Sequence, residues 1–298
     1  MKAWALALLI LSVTTVAWGG LALTIDNDFF TGSDGCYTHG TEIAWYALNP
    51  WGIYFTGLRN RVYTPKDITI AENQPDDHPW CGILTAFYEQ GVIRGGLRTK
   101  YGVEAGVLGP SAMAEEEQTW LHKVTGSDKP MGWDHQLRNE PVLNAYLDNW
   151  YGLGATGHAN EWSVRPDLLY GGILGTVNAN LYSGVGVRAG YNIPPDWVYE
   201  NATPEDALSS KFFGYGLASV RGIAVAYNAT LGQSLFFGVD EEHHVDLVPI
   251  LGEAKVGFCL GYDCVSLTGL VSIGTKEFEG QDGLSEWGEI RLMFGRPF

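Results

Sequence analysis

Three consecutive oxygen-bearing side chains, Asp26-Asn27-Asp28, follow an apolar run near the start of the chain. Neighbouring side chains of a strand point to opposite faces, so the three cannot share one side of a sheet. The strand therefore either leaves the membrane here or carries a bulge. Because carboxylate and amide oxygens are preferred ligands of calcium, Asn27 and Asp28 are candidate ligands; a polar loop without a ligand is the alternative.

A second polar group lies on a predicted short helix. Ser111 precedes residues 112–125, which carry acidic residues early and a lysine late, so we expect Ser111 to cap a helix there. Gln118 and His122 are four residues apart and share one face. His122 could take a proton from water as a general base, because imidazole titrates near neutral pH. A solvated or hydrogen-bonded loop histidine is the alternative.

The elements that must position these residues show the alternation of transmembrane β-strands. Near the C-terminus, apolar residues alternate with polar ones, as in Ile290, Leu292, Phe294 and Phe298 against Glu289 and Arg291. A terminal Phe resembles the assembly signal of bacterial outer-membrane barrels. Segments 42–45, 253–260 and 265–273 alternate in the same way. In segment 223–227, Ile223, Val225 and Tyr227 are predicted to face outward.

The predicted fold is all-β: a transmembrane antiparallel up-and-down β-barrel with a short helix in an external loop. At about 10 residues per strand, the mature chain accommodates about 12 strands. The sequence is 46% hydrophobic, yet no later stretch has the length of a membrane-spanning helix. The apolar run 3–16 after Met1-Lys2 predicts a signal peptide at residues 1–20, leaving residues 21–298 as one barrel domain.

The net charge of −16 argues against a nucleic-acid partner, because phosphates would be repelled. A phosphorylated lipid would meet the same difficulty. Its binding would need a local basic cluster or a bound cation.

Barrel topology predicts which segments lie outside the cell. Bacterial barrels have short periplasmic turns and longer external loops, so each odd-to-even connection is external. With strand one over about residues 21–29 and strand two from about Thr38, residues 63–80 and 109–140 form the second and third external loops. The candidate residues then gather at the external end.

Four cysteines suit an oxidising compartment. Cys259 and Cys264 flank a tight turn, and Cys36 and Cys81 fall at the external end. Either pair could form a disulfide, and unpaired thiols are the alternative.

Seven ordered motifs resemble the lipid A 3'-O-deacylase family across nearly the whole mature chain. They are Asp26-Asn27-Asp28-Phe29-Phe30, Tyr37-Thr38-His39-Gly40, Tyr63-Thr64-Pro65, Gly109-Pro110-Ser111-Ala112 with Gln118 and His122, Gly132-Trp133-Asp134, Asn139-Glu140-Pro141 and Lys276-Glu277-Phe278-Glu279-Gly280-Gln281. The resemblance implies a twelve-stranded outer-membrane barrel with a calcium-dependent active site between the barrel and its external loops.

The resemblance also implies roles for individual residues. Asn27 and Asp28 match the family's polar pair on strand one, Thr38 matches its threonine on strand two, and His122 matches its catalytic histidine. Lys66 is the nearest candidate for the family's loop lysine, although it is offset from the expected place after Tyr63-Thr64-Pro65.

The resulting hypothesis is hydrolysis of the 3'-linked acyloxyacyl ester of lipid A. His122 would deprotonate a water molecule, a calcium ion near Asn27 and Asp28 would stabilise the oxyanion, and Thr38 and Gln118 would orient the reacting groups. The expected partners are lipopolysaccharide and outer-membrane lipids, and the chain is expected to be a monomer.

Two other functions fit the patterning. An outer-membrane phospholipase would need a serine beside the histidine; no serine has a convincing spacing to it, and Ser111 is the likeliest candidate. A porin-like or adhesion barrel would have loops without an enzymatic role.

Overall fold

Twelve β-strands form the wall of a closed antiparallel barrel in the computed structural model, which describes residues 19–28, 36–154, 161–193, 212–262 and 264–295. The wall strands are β1 (Gly20–Asn27), β2 (Cys36–Asn49), β3 (Gly52–Thr64), β4 (Cys81–Arg94), β5 (Leu97–Leu108), β6 (Glu140–Gly152), β7 (Trp162–Gly175), β8 (Asn178–Tyr191), β9 (Phe213–Asn228), β12 (Ile250–Tyr262), β13 (Val265–Gly274) and β14 (Ser285–Gly295). This confirms the predicted fold class. Most of the predicted signal peptide, residues 1–18, and Phe298 lie outside the described residues.

Shorter elements lie in the connections. They are the helix α1 (Ala114–Thr125), the two-residue strands β10 (Gln233–Ser234) and β11 (Gly238–Val239), and the 3-10 turns Pro110–Ala112, Trp133–His135 and Ala229–Leu231. Among the described residues, no helix is both long and apolar enough to cross a bilayer.

The barrel closes because β1 pairs with strands on both of its sides. It pairs with β2 in a register that places Asn27 opposite His39, and with β14 in a register that places Asn27 opposite Gly288. The other wall strands pair with their neighbours in chain order. The closed wall thus leaves no open sheet edge in the membrane.

The two faces of the wall follow the predicted alternation in most strands. Ile43 is 54% exposed on the outside, whereas Ala44 is completely buried. Arg291 donates a hydrogen bond to Thr24 at 2.8 Å across the inside of the barrel. The C-terminal strand and segment 42–45 therefore have the expected orientation.

The prediction for segment 223–227 was wrong, because Val225 is buried while Ala224 and Ala226 are exposed. Both sets of residues are apolar, so the alternation carried little information. The orientation is set instead by Arg221, which points inward and forms an ion pair with Glu253 of β12 at 2.8 Å. Odd-numbered residues of this stretch consequently face the lumen.

Side chains occupy much of the lumen, where a cavity of about 250 Å³ remains between Arg59 and Arg221. Arg59 forms ion pairs with Glu42 at 2.6 Å, Glu89 at 3.0 Å and Glu104 at 3.5 Å. Toward the end of the barrel where β1 begins and β14 finishes, one buried apolar cluster joins side chains from well-separated strands. It includes Tyr46, Trp150, Tyr215 and Met293. Such packing differs from the water-filled channel of a porin, which was one of the alternatives.

We call the end of the barrel where β1 finishes the loop end. The connections 65–80 and 109–139 lie there, as predicted. The expected contrast between short and long connections is only partly met. At the loop end, β7 and β8 are joined by Thr176 and Val177 alone, whereas the opposite end carries the longer connections 153–161 and 192–212.

Three connections meet over the mouth of the barrel and form a cap, defined here by His78, Thr230, Leu231, Val245 and Phe278. Leu231, Val245 and Phe278 make one buried apolar cluster. His78 is completely buried; its Nδ1 lies 2.8 Å from the Pro79 carbonyl and its Nε2 lies 3.4 Å from the Thr230 hydroxyl. Burial lowers the pKa of His78 to about 4. The hydrogen bond to the Pro79 carbonyl and the negative charge of Asp77 both raise the pKa, but by less than burial lowers it.

We expect the cap to loosen in mild acid. An exposed histidine gains a proton as the pH falls below 6.5, but His78 in the closed cap gains one only near 4. The closed state therefore loses stability between pH 6.5 and 4, by about 3 kcal/mol in total, and the loss is complete below that range. Hydrogen exchange of residues 65–80, compared at each pH with His78→Gln, will measure this. An identical pH dependence in both proteins would contradict it.

Among the described residues, Cys81, Cys259 and Cys264 form no disulfide, and the side chain of Cys36 lies outside the described part. Cys259 pairs in register with Thr268, which lies four residues along the chain from Cys264. At about 3.3 Å per residue, the separation exceeds what a disulfide spans. The Cys81 thiol instead donates to the Gly82 carbonyl at 3.8 Å.

Candidate active site on the outer wall

Helix α1 begins two residues later than predicted and without the expected serine cap. Residues Pro110–Ala112 form a separate 3-10 turn, and Met113 caps α1 in a left-handed conformation with φ 59° and no side-chain hydrogen bond. The Ser111 amide donates instead to the Asn139 side chain at 2.7 Å. Ser111 therefore ties the start of the loop to its end rather than capping the helix.

Helix α1 packs against the outward face of the wall, not over the lumen. Val62 of β3 forms a buried cluster with Trp80, Ala114 and Trp133. Gly82, the register partner of Val62, allows this approach, because an added Cβ would lie 2.4 Å from the Ala114 Cβ. The helix consequently lies on the lipid-facing side of β2 to β4.

Glu117 joins α1 to the wall. Its carboxylate accepts hydrogen bonds from Thr41 at 3.0 Å and from Asn60, and it lies 3.3 Å from His39 Nε2. Partial burial raises the pKa of Glu117, but the hydrogen bonds from His39, Thr41 and Asn60 outweigh it, so the pKa lies below its usual value. The group is therefore ionised at neutral pH.

The predicted metal ligands lie at the rim beside this contact. The strand β1 ends at Asn27, whose Nδ2 lies 3.4 Å from His39 Nδ1, and Asp28 follows it with only 7% of its surface exposed. The bulge considered for strand one occurs on β2 instead, between Tyr37 and His39. It brings the Thr38 hydroxyl to 2.7 Å from the Thr64 hydroxyl.

Residues of the loop that follows α1 orient both predicted catalytic side chains of the helix. The Trp133 indole donates to Gln118 Oε1 at 2.8 Å, which leaves Gln118 Nε2 pointing the other way, buried and without a hydrogen-bond partner among the described residues. His122 is partly exposed, and its Nδ1 contacts the Asp128 carbonyl. A carbonyl only accepts, so Nδ1 carries the proton and Nε2 keeps its lone pair. Such a nitrogen can act as a general base.

The residues predicted from the sequence are only partly brought together. Asn27 is linked through His39 and Glu117 to the helix that carries Gln118 and His122. His122 lies five residues beyond Glu117, about 7.5 Å along the helix axis. Lys66 donates to Asp282 at 2.7 Å in the connection 275–284. That lysine thus lies between two loops, and its role remains a prediction.

Sequence reasoning missed two members of the site, His39 and Glu117. His39 was quoted only as part of a motif, and Glu117 only as one of several acidic residues early in the helix. The available signal was the register: His39 is the cross-strand partner of Asn27. Finding Glu117 required knowing that α1 packs on the outer wall.

The oxygen donors at the rim suit a hard cation. Asn27 offers an amide, Asp28 a carboxylate and Thr38 a hydroxyl, which are ligand types that calcium accepts. Within the described ranges, no group of three or more His, Cys, Asp and Glu side chains could hold a metal ion. A calcium ion here would therefore need further oxygens from backbone, water or substrate.

The Glu117 contact yields a prediction for the loop. Replacing Glu117 by Gln removes the charged acceptor of three side chains, and hydrogen bonds to charged groups contribute about 1.5–3 kcal/mol each. We expect amide exchange in α1 to accelerate at least about tenfold. The matched control is Glu116→Gln on the exposed face. Equal exchange in the two variants would show that Glu117 does not hold the helix.

Comparisons with known proteins identify the family and the fold of the chain. A family model described as outer membrane protein LpxR matches residues 3–295. The structure of LpxR from Salmonella typhimurium has a TM-score of 0.78 at 20% identity, covering 93% of this chain and 99% of that one. The β domain of the Bordetella autotransporter BrkA has a TM-score of 0.46 at 11% identity, covering 94% and 99%. No curated protein sequence matches the chain.

The family model spans nearly all of the chain, and its range includes each of the seven motifs described above. The chain therefore belongs to the LpxR family of outer membrane proteins, the lipid A 3'-O-deacylase family that its motifs resemble.

Proposed function

We propose that this outer-membrane protein hydrolyses the ester of the 3'-linked acyloxyacyl chain of lipid A, with His122 as the general base. The observation that carries the proposal is the Asp128 carbonyl against His122 Nδ1. That contact fixes the tautomer in which Nε2 can accept a proton. General-base catalysis by a positioned side chain contributes about 100- to 10,000-fold in rate.

The reaction needs one water molecule and no other reagent. His122 Nε2 takes a proton from the water, and at the same time the water oxygen bonds to the acyl carbonyl carbon. The bond from that carbon to the sugar oxygen then breaks, and the imidazolium returns the proton to the leaving oxygen. Gln118 Nε2, a buried donor, is suited to orient the water or the carbonyl oxygen.

Asn27 and Asp28 would hold a calcium ion, with Thr38 beside them. When bound, the ion would supply positive charge to the carbonyl oxygen as negative charge develops there, and it would also offset the negative charge of the protein toward lipid A phosphates. Asp28 contributes the carboxylate and Asn27 an amide oxygen. Lys66 would assist at a phosphate from its position between two loops.

The acyl chains of the substrate would lie on the outward face of the wall. Ile25 of β1 and Ile43 of β2 are 49% and 54% exposed there, below the Glu117 contact. The position of α1 on the outward side supports this arrangement, since the ester can reach His122 from the membrane without entering the lumen.

Mass spectrometry of lipid A from cells that express the protein tests the proposal. We expect loss of the mass of one acyloxyacyl chain, together with release of the corresponding fatty acids. An unchanged acyl pattern beside a correctly folded barrel would favour a non-enzymatic barrel. Release of fatty acid from phospholipid alone would favour the phospholipase alternative, and retained activity in Ser111→Ala would exclude the likeliest serine nucleophile.

A further inference from the structure

The cross-strand pair of Asn27 and His39 stands on the outward face of β1 and β2. On this face of the wall, Leu23 lies opposite Ile43 and, four residues further along β1, Asn27 lies opposite His39. The polar pair therefore follows directly after the apolar part of the outer face. His39 is only 5% exposed, because α1 covers it. A buried polar ring at this position needs defined hydrogen bonds on both nitrogens.

The partners of the ring determine which nitrogen carries the proton. His39 Nε2 lies 2.9 Å from the Thr41 hydroxyl and 3.3 Å from Glu117 Oε1. The carboxylate only accepts, and the hydroxyl gives its one proton to Glu117, so Nε2 is the protonated nitrogen. Nδ1 then has a lone pair and accepts from Asn27 Nδ2 at 3.4 Å. Thr41 donates to the same Glu117 oxygen at 3.0 Å and thereby fixes the carboxylate.

This chain of contacts fixes the rotation of the Asn27 amide. With its nitrogen directed at the ring, the amide oxygen lies on the far side of the amide carbon. If the ring were protonated on Nδ1 instead, the amide would turn and present its nitrogen to a cation. Partners of metal ligands commonly orient them in this way, and their loss typically weakens metal binding about 10- to 100-fold.

We propose that His39 is a positioning residue that turns the Asn27 amide oxygen toward a bound calcium ion and, through Glu117, couples that ligand to the helix carrying His122. The inference rests on the proposed function, because it assigns Asn27 to a calcium site. It adds a residue that acts through Asn27 and Glu117 rather than on the substrate.

Two matched substitutions separate the two nitrogens. His39→Asn places an amide oxygen near the Nδ1 position and keeps an acceptor for Asn27. His39→Gln reaches the Nε2 position and keeps a donor for Glu117. The readout is the calcium concentration that gives half of the thermal stabilisation of the full-length protein in detergent micelles, measured with calcium alone and repeated with magnesium. Migration of unheated samples on gels establishes that each variant has folded.

We expect His39→Gln to raise the calcium midpoint at least about tenfold and His39→Asn to change it less than about threefold. In an Asn27→Asp background, where both terminal atoms are oxygens, His39→Gln should have little further effect. This second comparison keeps the test decisive if one single variant folds poorly.

Three results would overturn the proposal. If the wild type responds clearly to calcium and the midpoint of His39→Gln is unchanged, the positioning role of His39 is overturned and the proposed calcium site is not. Equal losses in the Asn and Gln variants would assign the effect to ring packing. A wild type that shows no calcium response would overturn both this inference and the calcium part of the proposed function, whereas deacylation measured separately would still report on His122.

Discussion

Replacing His122 with alanine is expected to reduce lipid A deacylation by at least about 100-fold while the barrel still assembles. The Asp128 carbonyl holds the imidazole by Nδ1, so the substitution removes the lone pair on Nε2 that would accept the proton of water. The side chain is only partly buried on a loop helix, and the twelve-stranded wall does not depend on it. Mass spectrometry of lipid A from cells expressing each variant measures the effect.

The control for this experiment is His135→Ala, a histidine substitution in the same connection. The His135 ring centroid lies 6.3 Å from that of His243. Deacylation by this control variant should stay close to that of the wild type. Loss of assembly in His122→Ala would make the histidine structural. Full activity in a folded His122→Ala protein would remove the general base from the proposed mechanism.

Replacing Asp28 with asparagine should lower deacylation by about 100-fold or more and remove its dependence on added calcium. The substitution keeps the size of the side chain but removes the only negative charge among the candidate ligands Asn27, Asp28 and Thr38. Rates measured against free calcium concentration, before and after chelation, provide the test. Magnesium serves as the comparison ion, because it demands a more regular six-oxygen shell.

Asp26 offers a matched control two residues earlier. It accepts a hydrogen bond from the Tyr37 hydroxyl at 3.0 Å, so it is engaged by another strand. Asp26→Asn should leave the calcium dependence unchanged, even if the barrel becomes less stable. Equal effects of the two substitutions on the calcium midpoint would contradict the assignment of the ligand to Asp28.

Much of the wall could be predicted because strand alternation is strong where large apolar residues face charged ones. Glu289 and Arg291 against Ile290 and Leu292 determine the face of β14 without ambiguity. Segment 223–227 shows the limit of this reasoning. Both of its faces are apolar, and its orientation depends on an ion pair to β12 that no local pattern reveals.

The loop end was harder to predict than the wall. Counting strands places residues 65–80 and 109–139 at one end, but it does not say whether a loop helix lies over the lumen or outside the wall. That choice depends on Gly82 and Val62 making room for Ala114. The contact between Glu117 and His39 follows from this packing, which is why both residues were missed as members of the site.

The placement of α1 outside the wall, with the proposed site beside it, also predicts how the reaction rate depends on the composition of the bilayer. A substrate that stays in the leaflet meets the protein by lateral diffusion in two dimensions, so the rate should follow its mole fraction in the bilayer rather than its bulk concentration. Dilution of lipid A with inert detergent or phospholipid would then slow hydrolysis at constant total lipid A. On the proposed mechanism, the crowding of the outer leaflet would then influence activity.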